Sequence, residues 1–277
     1  MENAKEIVKE KYSQIANQSK DQNETPCRGS TECCSGVDYT IFSENYDKLE
    51  GYNPDADLGL GCGIPTEFAQ IKAGDTVIDL GSGAGNDCFV ARALVGETGK
   101  VIGIDFTQAM IEKACENVKK LGYNNVEFRY GDIEKLPVTA NKADVIISNC
   151  VLNLVPDKVK AFSEIHRVLK ASGHLSVSDV VLNGNLPGKL KEAGEMYAGC
   201  VSGAIQKDEY LSIIKKTGLT NVLVQKEKQV NIPDEIMLDY ISADELSDFK
   251  KSGAGIFSIT VYAEKPSAEC ECDPGIC

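Results

Sequence analysis

The chain has 277 residues and a formal net charge of −13, because 42 acidic side chains outnumber 29 lysines and arginines. This excess of negative charge repels phosphate backbones and anionic membrane surfaces, so neither nucleic acid nor a membrane is an expected partner. No apolar run approaches the roughly 20 residues that span a bilayer, and the first residues lack the apolar block of a secretion signal, so a cytoplasmic protein is expected.

The first predicted element is an amphipathic helix over residues 2 to 18, where apolar residues recur at helical spacing between charged ones. The stretch from 19 to 63 that follows is polar, glycine-bearing and without clear periodicity. Such a long irregular segment is uncommon in a compact domain unless it is functional or disordered. Because it carries aromatic residues and four cysteines, we interpret it as a partly ordered lid, with disorder as the alternative.

Strands and helices then alternate, which predicts a mainly parallel sheet in an α/β fold. The predicted strands cover 76–80, 100–105, 126–130, 143–148 and 174–181, and the predicted helices begin near 85 and cover 107–121 and 157–169. Thr107 is expected to cap its helix through the hydroxyl, and Gly122 to end that helix in the left-handed conformation.

The last third of the chain is predicted to contain a helical section and then two late strands, 222–230 and 256–264, that could form an antiparallel edge. The stretch 231–255 between them is predicted to be a loop. The residues from 265 to 277 are polar and proline-bearing, and they are expected to form an unstructured tail.

A glycine-rich loop connects the first strand to the next helix. It places Gly81, Gly83 and Gly85 where the backbone can pass close to a nucleoside, and Asp105 ends the following strand, 24 residues after Gly81. A carboxylate at that place can accept hydrogen bonds from both ribose hydroxyls. The spacing is Gly-x-Gly-x-Gly instead of the dinucleotide fingerprint, and Asp79 would repel a pyrophosphate, so a cationic nucleoside fits better.

This loop resembles motif I of the class I S-adenosylmethionine-dependent methyltransferases. The resemblance implies S-adenosylmethionine as the cofactor and a Rossmann-like, mostly parallel sheet with an antiparallel edge. It also implies a cofactor-binding set that comprises Asp79, Gly81, Ser82, Gly83, Gly85, Asp105, Met110, Asp132, Ile133 and Asn149.

Within that set the resemblance implies distinct contacts. Asp105 would hold the ribose, Met110 would line the adenine pocket, Asp132 would lie near the adenine amino group, and Asn149 would approach the methionine moiety. Two alternatives stay open: the glycines could serve only tight packing of strand against helix, and Asp132 could cap a turn.

Eleven cysteines are many for a reducing compartment, and their odd number disfavours a purely structural disulfide framework. Cys88 and Cys115 fall inside predicted helices and are interpreted as small buried hydrophobes. Cys62, Cys150 and Cys200 are separated by 88 and 50 residues, which excludes a local zinc knuckle but allows three elements to converge.

Cys150 follows a buried strand, at the edge of a parallel sheet where α/β proteins bind ligands. Three converging thiolates would form a trigonal site for a soft centre. Only two histidines are present for a mixed-ligand transition-metal site, so a trivalent metalloid fits better than iron or copper.

The glycine loop, the segment from Gly131 to Pro137 and the stretches around Cys150 and Cys200 together resemble the arsenite S-adenosylmethionine methyltransferases, over about residues 5 to 230. The resemblance implies that Cys150 and Cys200 bind arsenic(III), and that Cys62 acts with one upstream cysteine in binding or disulfide exchange. It implies arsenite, free or as a thiol adduct, as the substrate and thioredoxin or glutathione as the reductant.

The upstream cysteine is ambiguous, because Cys33 and Cys34 are adjacent and Cys27 is near; Cys33 is slightly favoured. The tail carries Cys270, Cys272 and Cys277, which could scavenge metal or have no role in turnover.

Four segments follow from this interpretation: a helix and cysteine-bearing lid (1–65), a cofactor-binding core (66–185), an arsenic-binding segment with the late strands (186–265), and a flexible tail (266–277). Two competing functions remain. One is a class I methyltransferase for a small organic acceptor, with incidental cysteines. The other is a non-catalytic protein that binds the metalloid and transfers nothing.

Overall fold

The structure is a computed structural model, and it describes residues 2–18, 44–186, 201 and 203–267. The α-helices within these ranges are α1 (Glu2–Ala16), α2 (Pro65–Phe68), α3 (Asn86–Val95), α4 (Gln108–Leu121), α5 (Lys158–Val168), α6 (Lys207–Lys216), α7 (Asp234–Leu238) and α8 (Ala243–Ser252). None of the described helices combines the length and the apolar character that crossing a bilayer requires.

The described strands form one mixed sheet. They are β1 (Thr76–Leu80), β2 (Lys100–Asp105), β3 (Val126–Tyr130), β4 (Ala143–Asn149), β5 (Leu169–Asn183), β6 (Thr220–Val230) and β7 (Gly255–Glu264). Their order is β3-β2-β1-β4-β5-β7-β6; β1 to β5 are parallel, and β7 runs antiparallel to both of its neighbours. The predicted fold class, a mostly parallel sheet with an antiparallel edge, is confirmed.

The centre of the sheet is its best buried part, because helices cover both faces. On one face α5 and α6 supply Phe162 and Tyr210 to the core, and on the other α1 and α3 supply Ile15 and Phe89. After β1 the chain forms β2 and β3 on one side of β1, and it later returns to form β4 on the other side of β1. Ligands of open α/β sheets bind in the crevice at such a switch point, beyond the carboxyl ends of the strands.

Three sequence-based predictions need correction. The stretch 231–255 contains α7 and α8 and is not a loop. Strand β5 begins at Leu169, five residues before its predicted start. The hydroxyl of Thr107 does not cap α4; instead the backbone N–H of Thr107 donates to Asp105 Oδ1 at 2.8 Å. Gly122 does end α4 with a left-handed φ of 69°, as predicted.

Parts of the predicted lid and the predicted tail lie outside the described residues, namely 19–43 and 268–277. Residues 44–64 are described, and they form turns and irregular loop with neither helix nor strand. This loop lies on the carboxyl edge of the sheet, because its Tyr46 and Cys62 both bond to Asn149 at the end of β4.

Helix α8 is stabilised at its start by a capping box. The hydroxyl of Ser242 accepts from the backbone N–H of Glu245, and the carboxylate of Glu245 accepts from the backbone N–H of Ser242. We expect Ser242→Ala to lower the unfolding free energy of this region by about 1 kcal/mol, since a cap contributes that much. Amide hydrogen exchange should show faster exchange within 243–252. Unchanged protection there would contradict the prediction, and Ser163→Ala in α5 serves as the control.

Candidate functional site

A pocket opens at the carboxyl ends of β1, β2 and β4. The glycine loop lines it, together with Asp105 and Cys150 at the ends of two strands and Tyr12 of α1. The pocket therefore lies at the switch point of the sheet, where the fold favours ligand binding.

The glycine loop is held tightly against the sheet. The backbone N–H groups of Gly81 and Ser82 donate to the carbonyl oxygen of Ile104 at 2.7 and 3.0 Å. A Cβ on Gly81 would lie 2.4 Å from a methyl carbon of Val151, so glycine is needed there for packing. Gly83 differs, because its Cβ would meet only the sulfur of Met110 at 4.0 Å. Packing thus explains Gly81 but leaves the space beside Gly83 open to the pocket.

Asp105 is fixed in place by backbone groups. Its carboxylate accepts from the N–H of Gly83 at 3.0 Å and from the N–H of Thr107 at 2.8 Å. Burial raises the pKa of Asp105, and these hydrogen bonds oppose the rise because they favour the charged form. The carboxylate remains at the pocket wall, where its other lone pairs can accept hydroxyl groups of a ligand.

Asp132 is engaged by a residue that the sequence did not indicate. Its carboxylate accepts from Lys5 Nζ at 2.7 Å and from the backbone N–H of Glu134 at 2.9 Å. Burial opposes ionisation of Asp132, but these hydrogen bonds outweigh it and lower the pKa of this carboxyl group. Lys5 also pairs with Glu134 at 2.9 Å, so α1 is joined to the pocket rim. Met110 and Ile133 line the same pocket.

A second polar network lies beside the end of β4. The side-chain nitrogen of Asn149 donates to Asp87 Oδ2 at 3.0 Å and to the carbonyl oxygen of Gly63 at 2.8 Å. The hydroxyl of Tyr46 lies 2.9 Å from Asp87 Oδ1 and 2.9 Å from the same Gly63 oxygen. The side-chain oxygen of Asn149 accepts from the backbone N–H of Cys62 at 3.0 Å. Asn149 therefore connects the pocket wall to the loop that carries Cys62.

Cys62 and Cys150 come together in the structure. Both are buried, at 1% and 2% exposure, and they belong to one apolar cluster with Val180 and Val201. Cys150 has a φ of 59°, a left-handed conformation at the point where the chain leaves β4, and its N–H donates to the carbonyl oxygen of Ser178 at 2.8 Å. Cys150 is also one of the residues that line the pocket.

Two predicted site cysteines, Cys33 and Cys200, lie outside the described residues. Val201, which follows Cys200 in the sequence, packs in the same cluster as Cys62 and Cys150. Within the described part of the chain no group of three or more histidine, cysteine, aspartate or glutamate side chains is placed to hold a metal ion. A three-cysteine site therefore stays a prediction.

The two cysteines that were interpreted as small hydrophobes lie in α3 and α4. The thiol of Cys88 donates to Asp79 Oδ2 at 3.2 Å, and burial together with the nearby carboxylates raises the pKa of this thiol well above its usual value. Cys88 is therefore a protonated hydrogen-bond donor as well as a packing residue. Cys115 is partly buried on α4 and does not line the pocket.

Sequence reasoning missed Lys5, Tyr46 and Asp87, which all line the pocket. Asp87 follows the glycine loop by two residues, and an acidic group in the first turn of a helix is easily interpreted as a helix-dipole partner. Tyr46 and Lys5 are far from the loop in sequence, so no local pattern signals their contacts.

We expect Tyr46→Phe to lower the global unfolding free energy by about 1–2 kcal/mol, because a buried hydroxyl partner of Asp87 is removed. Urea denaturation measures this change. Tyr130→Phe is the matched control, since the Tyr130 side chain is exposed and its hydroxyl meets only Lys9 among its described partners. Equal stability of the Tyr46 and Tyr130 variants would refute a structural role for this hydroxyl.

The chain is similar to known methyltransferases. A family model described as a methyltransferase domain matches residues 71–218. The arsenite methyltransferase of Halobacterium salinarum is 37% identical over 97% of this chain and 68% of its own length. That of Homo sapiens is 40% identical over 57% of this chain, but the match covers only 44% of the human protein. An arsenic(III) S-adenosylmethionine methyltransferase from Chlamydomonas reinhardtii superposes with a TM-score of 0.63 at 34% identity, covering 76% of this chain and 68% of that one.

Proposed function

Because the chain belongs to the arsenite methyltransferase family of class I methyltransferases, we propose that it transfers methyl groups from S-adenosylmethionine to arsenic(III) bound by Cys62, Cys150 and Cys200. The observation that carries the proposal is the meeting of Cys62 and Cys150 in one buried cluster beside the pocket. The two residues lie 88 positions apart in the sequence, so the fold brings them into this cluster.

The pocket fits S-adenosylmethionine. Asp105 lines the pocket, and the lone pairs that the N–H groups of Gly83 and Thr107 leave open would accept the ribose hydroxyls. Asp79 and Asp87 line the pocket with carboxyl groups that would face the positive charge of the cofactor. Met110 and Ile133 supply apolar wall for the adenine, and Asp132, already bonded to Lys5, lies at the rim.

When bound, S-adenosylmethionine supplies an electrophilic methyl group. Cys62 and Cys150 would hold arsenic(III) at the edge of the same pocket, since thiolates favour this soft centre. Capture of arsenous acid by three thiols releases three waters, so each thiol proton leaves with a hydroxyl group of the substrate. The protein then contributes position, because it keeps the acceptor and the donor side by side.

Sulfur-bound arsenic(III) retains a lone pair, so methyl transfer needs no general base. The positions of the two histidines are consistent with this mechanism, because neither histidine lines the pocket. The ring Nε2 of His174 lies 2.6 Å from the carbonyl oxygen of Ala69, and His166 lies on α5 beside Gly218.

Three further features belong to the proposal. Thioredoxin or glutathione would restore thiols that become oxidised, with Cys33 as the preferred partner of Cys62. A cytoplasmic location would keep those thiols reduced. The division at 65, 185 and 265 also remains proposed, and the sheet passes through both middle segments because β5 pairs with β7.

The test is product speciation. The full chain is mixed with arsenite, S-adenosylmethionine and a thiol reductant, and arsenic species are separated and detected by mass spectrometry over time. Methylated arsenic supports the proposal. Bound but unmodified arsenite would show a metalloid-binding protein. Methylation of a quinone in a parallel reaction, with no arsenic product in the first, would show a methyltransferase for organic acceptors; either outcome overturns the proposal.

A further inference from the structure

The loop that carries Cys62 packs on β5 and β7 without joining the sheet. Residues 44–64 form neither helix nor strand, yet Cys62 is only 1% exposed. Buried backbone N–H and C=O groups need hydrogen-bond partners, and an irregular loop has no helical or strand ladder to supply them. Side chains of the sheet take that role here.

The part of the sheet beneath this loop carries hydroxyl side chains. Ser176 and Ser178 of β5 and Ser258 and Thr260 of β7 are all buried. Residues two apart in a strand lie on the same face, and Ser178 is opposite Thr260 in the antiparallel pairing, so the four hydroxyls share one face. Buried hydroxyl groups are costly unless they are hydrogen-bonded, so their partners show what they do.

Cys62 is held through both of its backbone groups. Its N–H donates to Asn149 Oδ1 at 3.0 Å, and its carbonyl oxygen accepts from the hydroxyl of Ser258 at 2.5 Å. The two partners belong to β4 and β7, so separate strands fix this one residue. The next residue is a glycine at a close approach, because a Cβ on Gly63 would lie 2.6 Å from the hydroxyl oxygen of Ser178.

A second serine makes a similar bond to the same loop, but at a place further from Cys62. The hydroxyl of Ser176 donates to the carbonyl oxygen of Pro65 at 2.8 Å. Between these two points the carbonyl oxygen of Gly63 accepts from the amide of Asn149 at 2.8 Å. A change at Pro65 is therefore separated from Cys62 by an independent anchor, whereas the hydroxyl of β7 bonds to Cys62 itself.

We propose that Ser258 is a positioning residue for arsenic(III) capture, because its hydroxyl holds the backbone of Cys62 in the arrangement that brings this thiol into the cluster with Cys150. The inference rests on the proposed arsenic site. Val180, the register partner of Ser258, belongs to the same buried cluster as both cysteines, so the hydrogen bond lies at the cluster. When only part of the molecules have the competent loop arrangement, the apparent affinity falls by that fraction.

Ser258→Ala should weaken arsenite capture without disturbing the cofactor. Loss of one hydrogen bond of ordinary strength changes the population of the competent arrangement by about fivefold, so the dissociation constant of arsenite should rise by that factor. The KM for arsenite should rise equally, while kcat stays within about twofold, because bound arsenic itself holds the thiols together. Ser258 does not line the cofactor pocket, so the dissociation constant of S-adenosylmethionine should not change.

Titration of arsenite into the full, reduced chain without cofactor tests the proposal, with sulfur-to-arsenic charge-transfer absorption as the signal. Ser176→Ala is the matched control, since it removes the same group from the same loop, and its arsenite dissociation constant should equal that of the unmodified chain. Equal arsenite dissociation constants in the two variants would overturn the positioning role. Failure of the unmodified chain to bind arsenite would instead overturn the proposed function itself, so the two failures are distinguishable.

A second pair of variants isolates the hydroxyl from side-chain shape. Ser258→Thr and Ser258→Val place side chains of the same shape in β7, and only threonine keeps the hydroxyl. We expect the threonine variant to bind arsenite about fivefold more tightly than the valine variant, by the same hydrogen bond. Equal affinities would contradict the proposal. This comparison also decides the matter if Ser258→Ala does not fold.

Discussion

Cys150→Ser is expected to lower the rate of arsenite methylation at least about 100-fold, since misplacement of a reacting atom by 1 Å already costs that much. The affinity for S-adenosylmethionine should stay within about twofold, because oxygen replaces sulfur at one point of the pocket wall while the cofactor-binding groups remain. Initial rates of arsenic methylation and cofactor titration by calorimetry measure the two effects.

The position of Cys150 explains why the effect should be large. The residue adopts a left-handed φ of 59° directly after β4, and its N–H is fixed by Ser178. Cys150 lines the pocket and shares a buried apolar cluster with Cys62. Serine can adopt the same backbone conformation, but its hydroxyl is smaller, harder and far less acidic than a thiol, so the proposed arsenic(III) site would lose a soft donor.

Cys115→Ser is the matched control for Cys150→Ser, because Cys115 lies on α4 away from the pocket. Its methylation rate should equal that of the unmodified chain. Full activity of the Cys150 variant would show that methylation does not depend on the thiol of Cys150, which contradicts the proposed arsenic site. Parallel loss of cofactor binding would instead show that Cys150 supports the pocket structurally.

The sequence predicts most of the sheet because its strands carry local signals. β1 and β2 are short apolar runs that end in a glycine loop or an acidic residue, and these runs are buried on both faces. Alternation with helices then determines that the strands are parallel. Within the site, Asp105 and Cys150 were predictable because each directly follows such a run at the edge where parallel sheets bind ligands.

The remaining features depend on tertiary contacts or on weak patterns. α8 has the sequence Ala-Asp-Glu-Leu-Ser-Asp-Phe-Lys-Lys-Ser and buries only Leu246, so its apolar periodicity is faint, and its best signal was the capping box at Ser242. The partners of Asp87 and Asp132 come from Tyr46 and Lys5, which are 41 and 127 residues away. No sequence window contains both members of these pairs.

Asn149 shows how the two halves of the site depend on each other. Its amide nitrogen donates to the carboxylate of Asp87, and its amide oxygen holds the N–H of Cys62. A Cβ on Gly61 would lie 2.6 Å from that amide nitrogen, so the Cys62 loop approaches β4 closely. One side chain therefore fixes both the carboxylate of Asp87 and the backbone that carries the thiol of Cys62.

Asp105→Ala should raise the dissociation constant of S-adenosylmethionine by about 100-fold. Two ligand hydrogen bonds to a charged acceptor contribute about 1.5 kcal/mol each, and a total of about 3 kcal/mol corresponds to that factor. The substitution also leaves the N–H groups of Gly83 and Thr107 without their carboxylate partner, which loosens the glycine loop. Equilibrium titration of the cofactor in the absence of arsenic measures the change.

Two further variants separate the charge of Asp105 from its shape. Asp105→Asn keeps one acceptor oxygen and should weaken cofactor binding less than alanine does, by about tenfold, because a neutral acceptor forms weaker hydrogen bonds than a carboxylate. Glu112→Gln removes an exposed carboxylate from α4 and should leave the dissociation constant unchanged. If the alanine variant bound the cofactor as tightly as the unmodified chain, the ribose would have to be held by other groups, and the placement of the nucleoside at the end of β2 would be wrong.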